Sequence, residues 1–328
     1  MQTRKLGYSD LHLTPVGLGT WAIGGGDNPY GWGPQDDKES IAAIQRALDL
    51  GVNWIDTAAG YGKGHSEEVI GRAIAGRRDE VIVATKCGIL WQADGSEIYG
   101  HLKADSIRRE VENSLRRLQV EAIDLYQIHW PMPDEDIEEG WATIAELIKE
   151  GKVRYGGVSN FNVAQLKRVQ AIHPVASLQP PYSMLARGIE AEIMPFCAEN
   201  NIGIVVYSPM QAGLLTGKMT KERVAQFPAD DWRKAKSPYF QEPELSINLA
   251  LVEELRPIAE RNGRSLAELA IAWVLRRPEV TSAIVGARRP SQIEQTVSAG
   301  EWTLSAGDIA DVDALLAKRD RQLAELGK

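Results

Sequence analysis

Four polar side chains in this 328-residue chain stand where apolar runs give out. Asp56 ends Asn53-Trp54-Ile55, Lys86 ends Val81-Ile82-Val83-Ala84-Thr85, and His129 ends Ile123-Asp124-Leu125-Tyr126-Gln127-Ile128. Tyr61 follows Asp56 by five residues in the loop Thr57-Ala58-Ala59-Gly60-Tyr61-Gly62. A tyrosine hydroxyl, with an ordinary pKa of about 10, is a weak acid at neutral pH unless a neighbouring cation favours its phenolate. Lys86 supplies such a charge. Asp56 would keep Lys86 protonated and oriented, and His129, as a neutral imidazole, would donate to a substrate carbonyl oxygen while Tyr61 protonates the alkoxide. Taken singly, Asp56 and Lys86 read equally well as a buried ion pair, and His129 as a satisfied core histidine. Taken together, at the same end of three successive strands, they point to one converging site. The set has no nucleophile beside a base and no metal-ligand spacing, so it suits proton-coupled hydride transfer in which a cofactor carries the difficult step.

Two stretches compete for that cofactor. Gly17-Leu18-Gly19-Thr20-Trp21-Ala22 matches the G-x-G-x-x-A dinucleotide fingerprint and follows a strand. However, Gly24-Gly25-Gly26-Asp27-Asn28-Pro29 comes next, where no helix is expected to open and receive a pyrophosphate, so this reading is rejected. Late in the chain, Gly286-Ala287-Arg288-Arg289-Pro290 follows the last strand and enters a helix, the region where barrels build phosphate sites. Cations are disfavoured at that end of a helix dipole, so the arginine pair reads better as a ligand for a phosphate monoester than as a solvated charge pair. Tyr207-Ser208-Pro209 precedes Gly213-Leu214-Leu215-Thr216-Gly217-Lys218, an aromatic face beside a flexible loop with a cation. An aromatic there can stack on a nicotinamide ring.

The elements that must position these groups follow from periodicity. From residue 16 onward short β-rich runs alternate with helical-period segments, the pattern of repeated βα units around a parallel sheet. Strands are expected at 16–19, 53–56, 81–86, 123–129, 153–159, 177–180, 202–208 and 281–285, each followed by a loop and a helix. Eight units predict an α/β fold of the closed (β/α)8 TIM-barrel type, one domain over residues 1–328. Ile41, Ile44 and Leu48 share one face of the first helix, and Ile107, Val111, Leu115 and Leu118 one face of the third. Ile202-Gly203-Ile204-Val205-Val206 is almost continuously apolar, as when both faces of a parallel strand are buried. Segments 3–6 and 11–14 read as an N-terminal β-hairpin capping the barrel bottom, and Ile309, Val312 and Leu316 mark an extra C-terminal helix. Loops 20–36, 87–104 and 209–244 are long and carry Trp21, Tyr30, Trp32, Trp91, Trp232 and Tyr239 to the rim where barrel enzymes do their chemistry.

Composition narrows the function classes. With 44% hydrophobic and 25% charged residues the chain can bury a sizeable core, so disorder is not an option. The formal net charge of -8 opposes non-specific binding to nucleic acid or anionic membrane, so an anion must meet a local basic site. Cys87 and Cys197 are the only cysteines, too far apart and too few for a disulfide framework or zinc knuckle, and fit a reducing cytosol. The start Met1-Gln2-Thr3-Arg4-Lys5 leads into no apolar signal region, and no run of roughly 18 apolar residues occurs. The expectation is a cytoplasmic protein with a small-molecule partner, no nucleic acid, no membrane and a monomer as default.

In combination these residues resemble the aldo-keto reductase family, from Leu6 to the C-terminal helix. The motifs are Asp56-Thr57-Ala58 with Tyr61-Gly62, Ser66-Glu67-Glu68-Val69-Ile70-Gly71, Thr85-Lys86, Gln127-Ile128-His129, Gly156-Gly157-Val158-Ser159-Asn160-Phe161, Gln179 and Gly213-Leu214-Leu215-Thr216-Gly217-Lys218. The resemblance implies a catalytic tetrad of Asp56, Tyr61, Lys86 and His129, all four intact. It implies that Ser159, Asn160 and Gln179 bind the nicotinamide carboxamide, that Tyr207 stacks on its ring, and that Ser208 to Lys218, with Pro209, Gly213, Leu214 and Gly217, wraps the pyrophosphate, assisted by Arg233. Thr20, Trp21, Asp56 and Gly286 join the implied cofactor contacts, and Arg288 and Gln292 take the adenosine end. The basic pair there favours NADP(H) over NAD(H). Where many members carry Glu-Asn on the final helix, this sequence has Gln295-Thr296, which alters the adenine contacts. The rim resembles bacterial members acting on sugars and small aldehydes, with Trp21, Trp32, Trp91 and Trp130 as pocket walls.

Two other readings are weighed. A metal-dependent barrel hydrolase needs several His and carboxylate ligands at the rim. Of five histidines, His12, His65, His101 and His173 fall in turns or helix flanks without ligand spacing. A nicotinamide-nucleotide-binding regulatory subunit with little turnover is compatible with an intact tetrad, and turnover separates it from a reductase that runs reversibly toward alcohol oxidation.

Overall fold

In the computed structural model, which describes residues 1–26, 30–229 and 231–327, eight parallel strands close into a barrel. They are β1 (Val16–Gly19), β2 (Trp54–Asp56), β3 (Ile82–Cys87), β4 (Ile123–Ile128), β5 (Val153–Ser159), β6 (Ser177–Gln179), β7 (Gly203–Val206) and β8 (Val280–Gly286). Each pairs with its neighbour in sequence, and β8 returns to pair with β1. The protein is a (β/α)8 TIM barrel whose strand ends differ from the expected ones by a residue or two.

Helices α1 (Asp37–Asp49), α2 (His65–Ala73), α3 (Ala104–Leu118), α4 (Ile137–Lys149), α5 (Val163–Gln170) and α6 (Ile193–Glu199) follow the first six strands. The apolar stripes point as the periodicity requires: Ile107, Val111 and Leu118 of α3 are fully buried, and Ile44 and Leu48 of α1 face the barrel. The seventh unit is larger than expected. After β7 come the short helices α7 (Lys221–Ala225) and α8 (Trp232–Lys236), then two long ones, α9 (Glu244–Arg261) and α10 (Leu266–Leu275). The break between α9 and α10 is encoded locally. Gly263 turns the chain at φ 64°, and Ser265 and Glu268 cap α10 reciprocally. The last unit supplies α11 (Pro290–Glu294), and α12 (Ala306–Glu325) packs on α9 as the extra C-terminal helix. No helix among the described residues is long and apolar enough to cross a membrane.

Two apolar layers hold this arrangement. The outer one lies between the strands and the helices. The inner one fills the lumen with Trp54, Ala84, Leu125, Val205 and Ile284, and the N-terminal hairpin (Arg4–Lys5 with His12–Leu13) plugs it from below with Leu6, Leu11 and Leu13. Trp54 donates its indole N–H to Ser282 Oγ at 3.0 Å and crosses to β1, where a Cβ on Gly17 would lie 2.0 Å from its ring. Gly17 is therefore a glycine because Trp54 fills the lumen, which removes the physical case for a dinucleotide fingerprint there. Asp27, Asn28 and Pro29 of that stretch lie outside the described residues; the first α-helix begins at Asp37. Loop 87–104 folds into a small antiparallel hairpin, Ile89–Trp91 with Ile98–Gly100, that the alternation pattern did not announce.

Candidate active site

Parallel register delivers three of the four candidate catalytic groups to one rim. Asp56 pairs with Ala84 on β3, and Lys86 with Gln127 on β4, so the C-terminal ends of β2, β3 and β4 come level. The Lys86 side chain is wholly buried and donates to Asp56 Oδ1 at 2.7 Å, Thr57 O at 2.8 Å and Tyr61 Oη at 3.3 Å. These are the three bonds an ammonium group can give. Burial opposes charge on Lys86, but the Asp56 carboxylate and the Tyr61 hydroxyl more than offset it and raise its pKa above the ordinary lysine value. His129, just past β4, meets the Tyr61 ring edge-on at 5.7 Å between centroids. Burial first, and the Lys86 charge second, push its pKa well below the usual histidine value, so the imidazole is neutral at pH 7.

Tyr61 departs from expectation in one respect. Burial drives its pKa upward, Lys86 pulls it down, and Asp56 pushes it up again, with a net rise. The sequence reading had Lys86 making the hydroxyl more acidic; in the free protein desolvation outweighs that pull, and Tyr61 keeps its proton. A proton donor must hold its proton until charge develops next to it. The turn carrying Tyr61 needs the glycine that follows: Gly62 sits at φ 58°, and a Cβ there would come within 2.1 Å of Gly24 O.

A polar layer behind the strands holds these ends still. Thr20 Oγ1 donates to Asp56 O at 2.9 Å and accepts from Ser66 Oγ at 2.8 Å, while Thr57 and Ser66 hydroxyls meet at 2.9 Å. Thr20 thus lies in the cleft floor, with its hydroxyl committed to Asp56. Thr85 donates to Glu67 Oε1 at 2.6 Å, and Glu67 is paired to Arg117. The Gly88 N–H donates to Glu110 Oε2 at 2.9 Å. Burial raises the Glu110 carboxyl to about 7 against the Gly88 and Ser106 hydrogen bonds. Glu110 was not singled out from the sequence, and Glu67 stood there only inside the Ser66–Gly71 motif without a role; each reads as a polar position on an amphipathic helix.

Asp56, Tyr61 and His129, with Lys86 buried beneath them, form part of the floor of a cleft of about 1340 Å³, beyond the roughly 300–1000 Å³ usual for a small ligand. On its other side Tyr207 Oη donates to Asn160 Oδ1 at 2.8 Å, and Asn160 Nδ2 donates to His129 O at 3.1 Å. Ser159 Oγ donates to Gln179 O at 2.8 Å, and Gln179 Nε2 to Asp56 Oδ2 at 2.8 Å. The groups expected to hold a carboxamide are thus wired to the tetrad. Asn160, Ser208, Gln211 and Ala212 take left-handed backbone angles, φ 64°, 56°, 47° and 53°. Each such non-glycine residue costs about 1–3 kcal/mol, and such strain clusters at functional sites. Ser208, Pro209, Gly213, Lys218, Gly286 and Gln292 all line this half.

Two expected contacts fall elsewhere, while Arg233 and Arg288 line the cleft. Leu214 is fully buried in the outer core, and Gly217 lies against α10, where a Cβ would be 2.6 Å from Leu266. Neither lines the cleft. Arg233 donates from Nη2 to Asp231 at 2.6 Å and lies over Phe227 and Trp32, at 3.9 and 4.7 Å from their ring centroids. Its charge is answered within its own loop. Arg288 donates to Gln35 Oε1 at 2.5 Å, to Trp32 O at 3.2 Å and to Pro34 O. Arg289 is exposed, 3.9 Å from Glu39. Gln295 accepts from Lys218 at 3.3 Å, and Thr296 turns its hydroxyl back on Gln292 O at 3.0 Å.

Aromatic rings wall the approach to Tyr61. Trp21 lies 6.4 Å from the Tyr61 ring, 5.5 Å from Trp32 and 5.2 Å from Trp232. Trp91, from the hairpin, donates to Gly60 O at 3.0 Å, and Trp130 stands at the mouth, 44% exposed. Trp232 joins the four expected pocket walls; the signal for it was its place in the long loop 209–244.

The aldo/keto reductase family model matches residues 15–317. The aldo-keto reductase YhdN of Bacillus subtilis is 41% identical over 96% of this chain and 94% of its own length. The NADH-specific methylglyoxal reductase of Escherichia coli is 36% identical, with 99% of each chain covered. The structure of the glycerol dehydrogenase AKR11B4 from Gluconobacter oxydans superposes with a TM-score of 0.88 at 40% identity, over 97% of this chain and 96% of that one. With barrel, cleft and whole-length similarity in agreement, the chain belongs to the aldo/keto reductase family, an oxidoreductase family.

Proposed function

We propose that this protein reduces the carbonyl of a small aldehyde, ketone or aldose with NADPH, reversibly, and that Tyr61 is the proton donor. The observation that carries the reading is the single Lys86 ammonium bonded at once to Asp56 and to the Tyr61 hydroxyl on the cleft floor. A bound nicotinamide nucleotide supplies the hydride. Neutral His129 donates to the carbonyl oxygen and orients it, Tyr61 gives its proton to the alkoxide as it forms, and Lys86 stabilises the phenolate left behind. Asp56 keeps Lys86 charged.

Ser159, Asn160 and Gln179 would hold the carboxamide and Tyr207 the ring face; Ser208 to Lys218 would follow the pyrophosphate, and Arg288 with Gln292 the adenosine end. The cleft volume and the arginine pair fit a phosphorylated dinucleotide. One relative is named NADH-specific, so the preference for NADP(H) rests on the Arg288 and Arg289 charges. Two relatives are named for methylglyoxal and glycerol, small polar molecules that aromatic walls can enclose. Both cysteines are buried and free, in keeping with a reducing cytosol.

The test is fluorescence titration with NADPH and NADH, then NADPH consumption over a panel of methylglyoxal, simple aldehydes, ketones and aldoses, with glycerol in the oxidative direction. Tight NADPH binding with turnover is expected. Binding without turnover on any carbonyl would favour a regulatory subunit, and no binding would sink the cofactor site.

A further inference from the structure

The Arg288 guanidinium faces two ways. Toward the protein it gives three bonds to segment 32–35, on Gln35 Oε1, Trp32 O and Pro34 O. Gln35 answers by donating to Arg288 O at 3.0 Å and to Ser40 Oγ at 3.0 Å at the start of α1. A guanidinium has five N–H donors, so two are left for an outside acceptor. All three partners on the protein side are neutral oxygens. Arg289 is the next residue; burial, then the Arg289 charge, lower the Arg288 pKa, Glu39 pulls it the other way and Arg233 adds a further like charge. A half-buried cation whose hydrogen-bond partners are all neutral and whose neighbouring charges are mostly like its own has room for an anion.

Segment 32–35 also belongs to the substrate wall. Trp32 packs edge-on against Trp21 at 5.5 Å, and Trp21 stacks on Tyr61 at 6.4 Å. The ring of Trp32 carries Arg233 on its face. Contacts therefore run from Gln35 and Arg288 through Trp32 and Trp21 to the ring of the proposed proton donor.

We propose that the reciprocal Arg288–Gln35 pair couples the phosphate end of the cleft to its substrate wall, so that a 2'-phosphate on the adenosine ribose steadies segment 32–35 and the Trp21–Trp32 wall. Gln35 is a positioning residue in this scheme, acting through Arg288 and Trp32. The inference rests on the proposed placing of the phosphate at Arg288. It adds that the substrate half responds to which nucleotide is bound, and the coupling is reciprocal.

Amide hydrogen exchange of peptides covering residues 30–40 reads this directly, with saturating NADPH or NADH. NADPH is expected to slow exchange there about 5-fold more than NADH, the lower end of ordinary coupling strengths. In Gln35→Met, similar in size but unable to accept from Arg288, that difference disappears while NADPH affinity by fluorescence stays within about twofold. The KM for a simple aldehyde rises with kcat retained. Equal protection by the two nucleotides, with NADPH still bound more tightly, would overturn the coupling and leave the phosphate contact standing. Equal affinity for both nucleotides, unchanged by removing the Arg288 side chain, would remove the phosphate contact and the coupling with it.

Discussion

The two ends of the cleft answer their charges differently. At the floor, the Lys86 cation has a carboxylate at 2.7 Å, a carbonyl and a hydroxyl, all fixed by strand ends in register. At the far end, proposed for the adenosine, Arg288 is held by an amide and two backbone carbonyls of a loop, and Arg289 is exposed. A charge buried on a barrel strand has to bring its counter-charge in the fold, because an unpaired ion in that interior costs several kcal/mol. A cation at a rim loop stays partly solvated and can leave its compensation to a ligand. On the proposed function the floor is preorganised before anything binds, and recognition is completed by what binds.

Breaking the floor has the largest expected effect. Tyr61→Phe removes the proposed proton donor without touching the Lys86–Asp56 bond, so kcat is expected to fall on the order of 10²–10⁴-fold, with nicotinamide nucleotide affinity by fluorescence little changed. Retention of most activity would mean that another group gives the proton. Lys86→Met lowers turnover through the lost phenolate stabilisation and also leaves Asp56 buried without its cation, a loss of about 3–5 kcal/mol in urea unfolding. A variant as stable as the parent would contradict the preorganised floor.

Breaking the far end has a smaller and more selective effect. Arg288→Met is expected to raise the Kd for NADPH about 10- to 100-fold, the worth of charge-assisted hydrogen bonds. The Kd for NADH stays within about twofold, and stability is nearly unchanged. Equal weakening of both nucleotides would show that Arg288 serves the fold and not the phosphate.

Glu110 sharpens the comparison from behind the floor. Its carboxyl is held at about 7 in the fold against an ordinary 4.5, so between those values the folded state holds a proton that the unfolded chain has released. The stability contributed by the neutral form is full below pH 4.5 and is lost as pH rises through 7. Glu110→Gln removes that loss. Its stability relative to the parent, set at pH 4.5, should grow by about 3 kcal/mol by pH 8 in urea unfolding, with turnover close to that of the parent. A pH-independent difference would mean that Glu110 is ionised in the fold.

Much of the barrel was legible along the chain, because a strand buried on both faces must be almost wholly apolar and a surface helix must repeat its apolar stripe. Val81-Ile82-Val83-Ala84 and the stripe Ile107, Val111, Leu118 declare themselves in that way. Polar residues that end such runs declare themselves too, which is why Asp56, Lys86 and His129 could be picked out. Glu67 and Glu110 could not, since a polar residue on a helix reads as solvent-facing until its partner on a strand is known. The small hairpin in loop 87–104 was hidden because two strands of three residues are too short to show an alternating pattern.

Sequence alone determined the eight βα units, the polar residues that end three strands at one rim and the basic pair Arg288 and Arg289 that follows the last strand, since each depends on local pattern or residue type. Tertiary structure decided the rest. It set the balance that keeps Tyr61 protonated, because desolvation and two opposing charges are summed only where strand ends meet in space. It turned Gly17 into a space for Trp54, buried Leu214 away from the cleft, satisfied Arg233 with Asp231 and joined Arg288 to Gln35 across the rim. Each of these depends on distances between groups that the chain order leaves open and that only closure of the barrel settles.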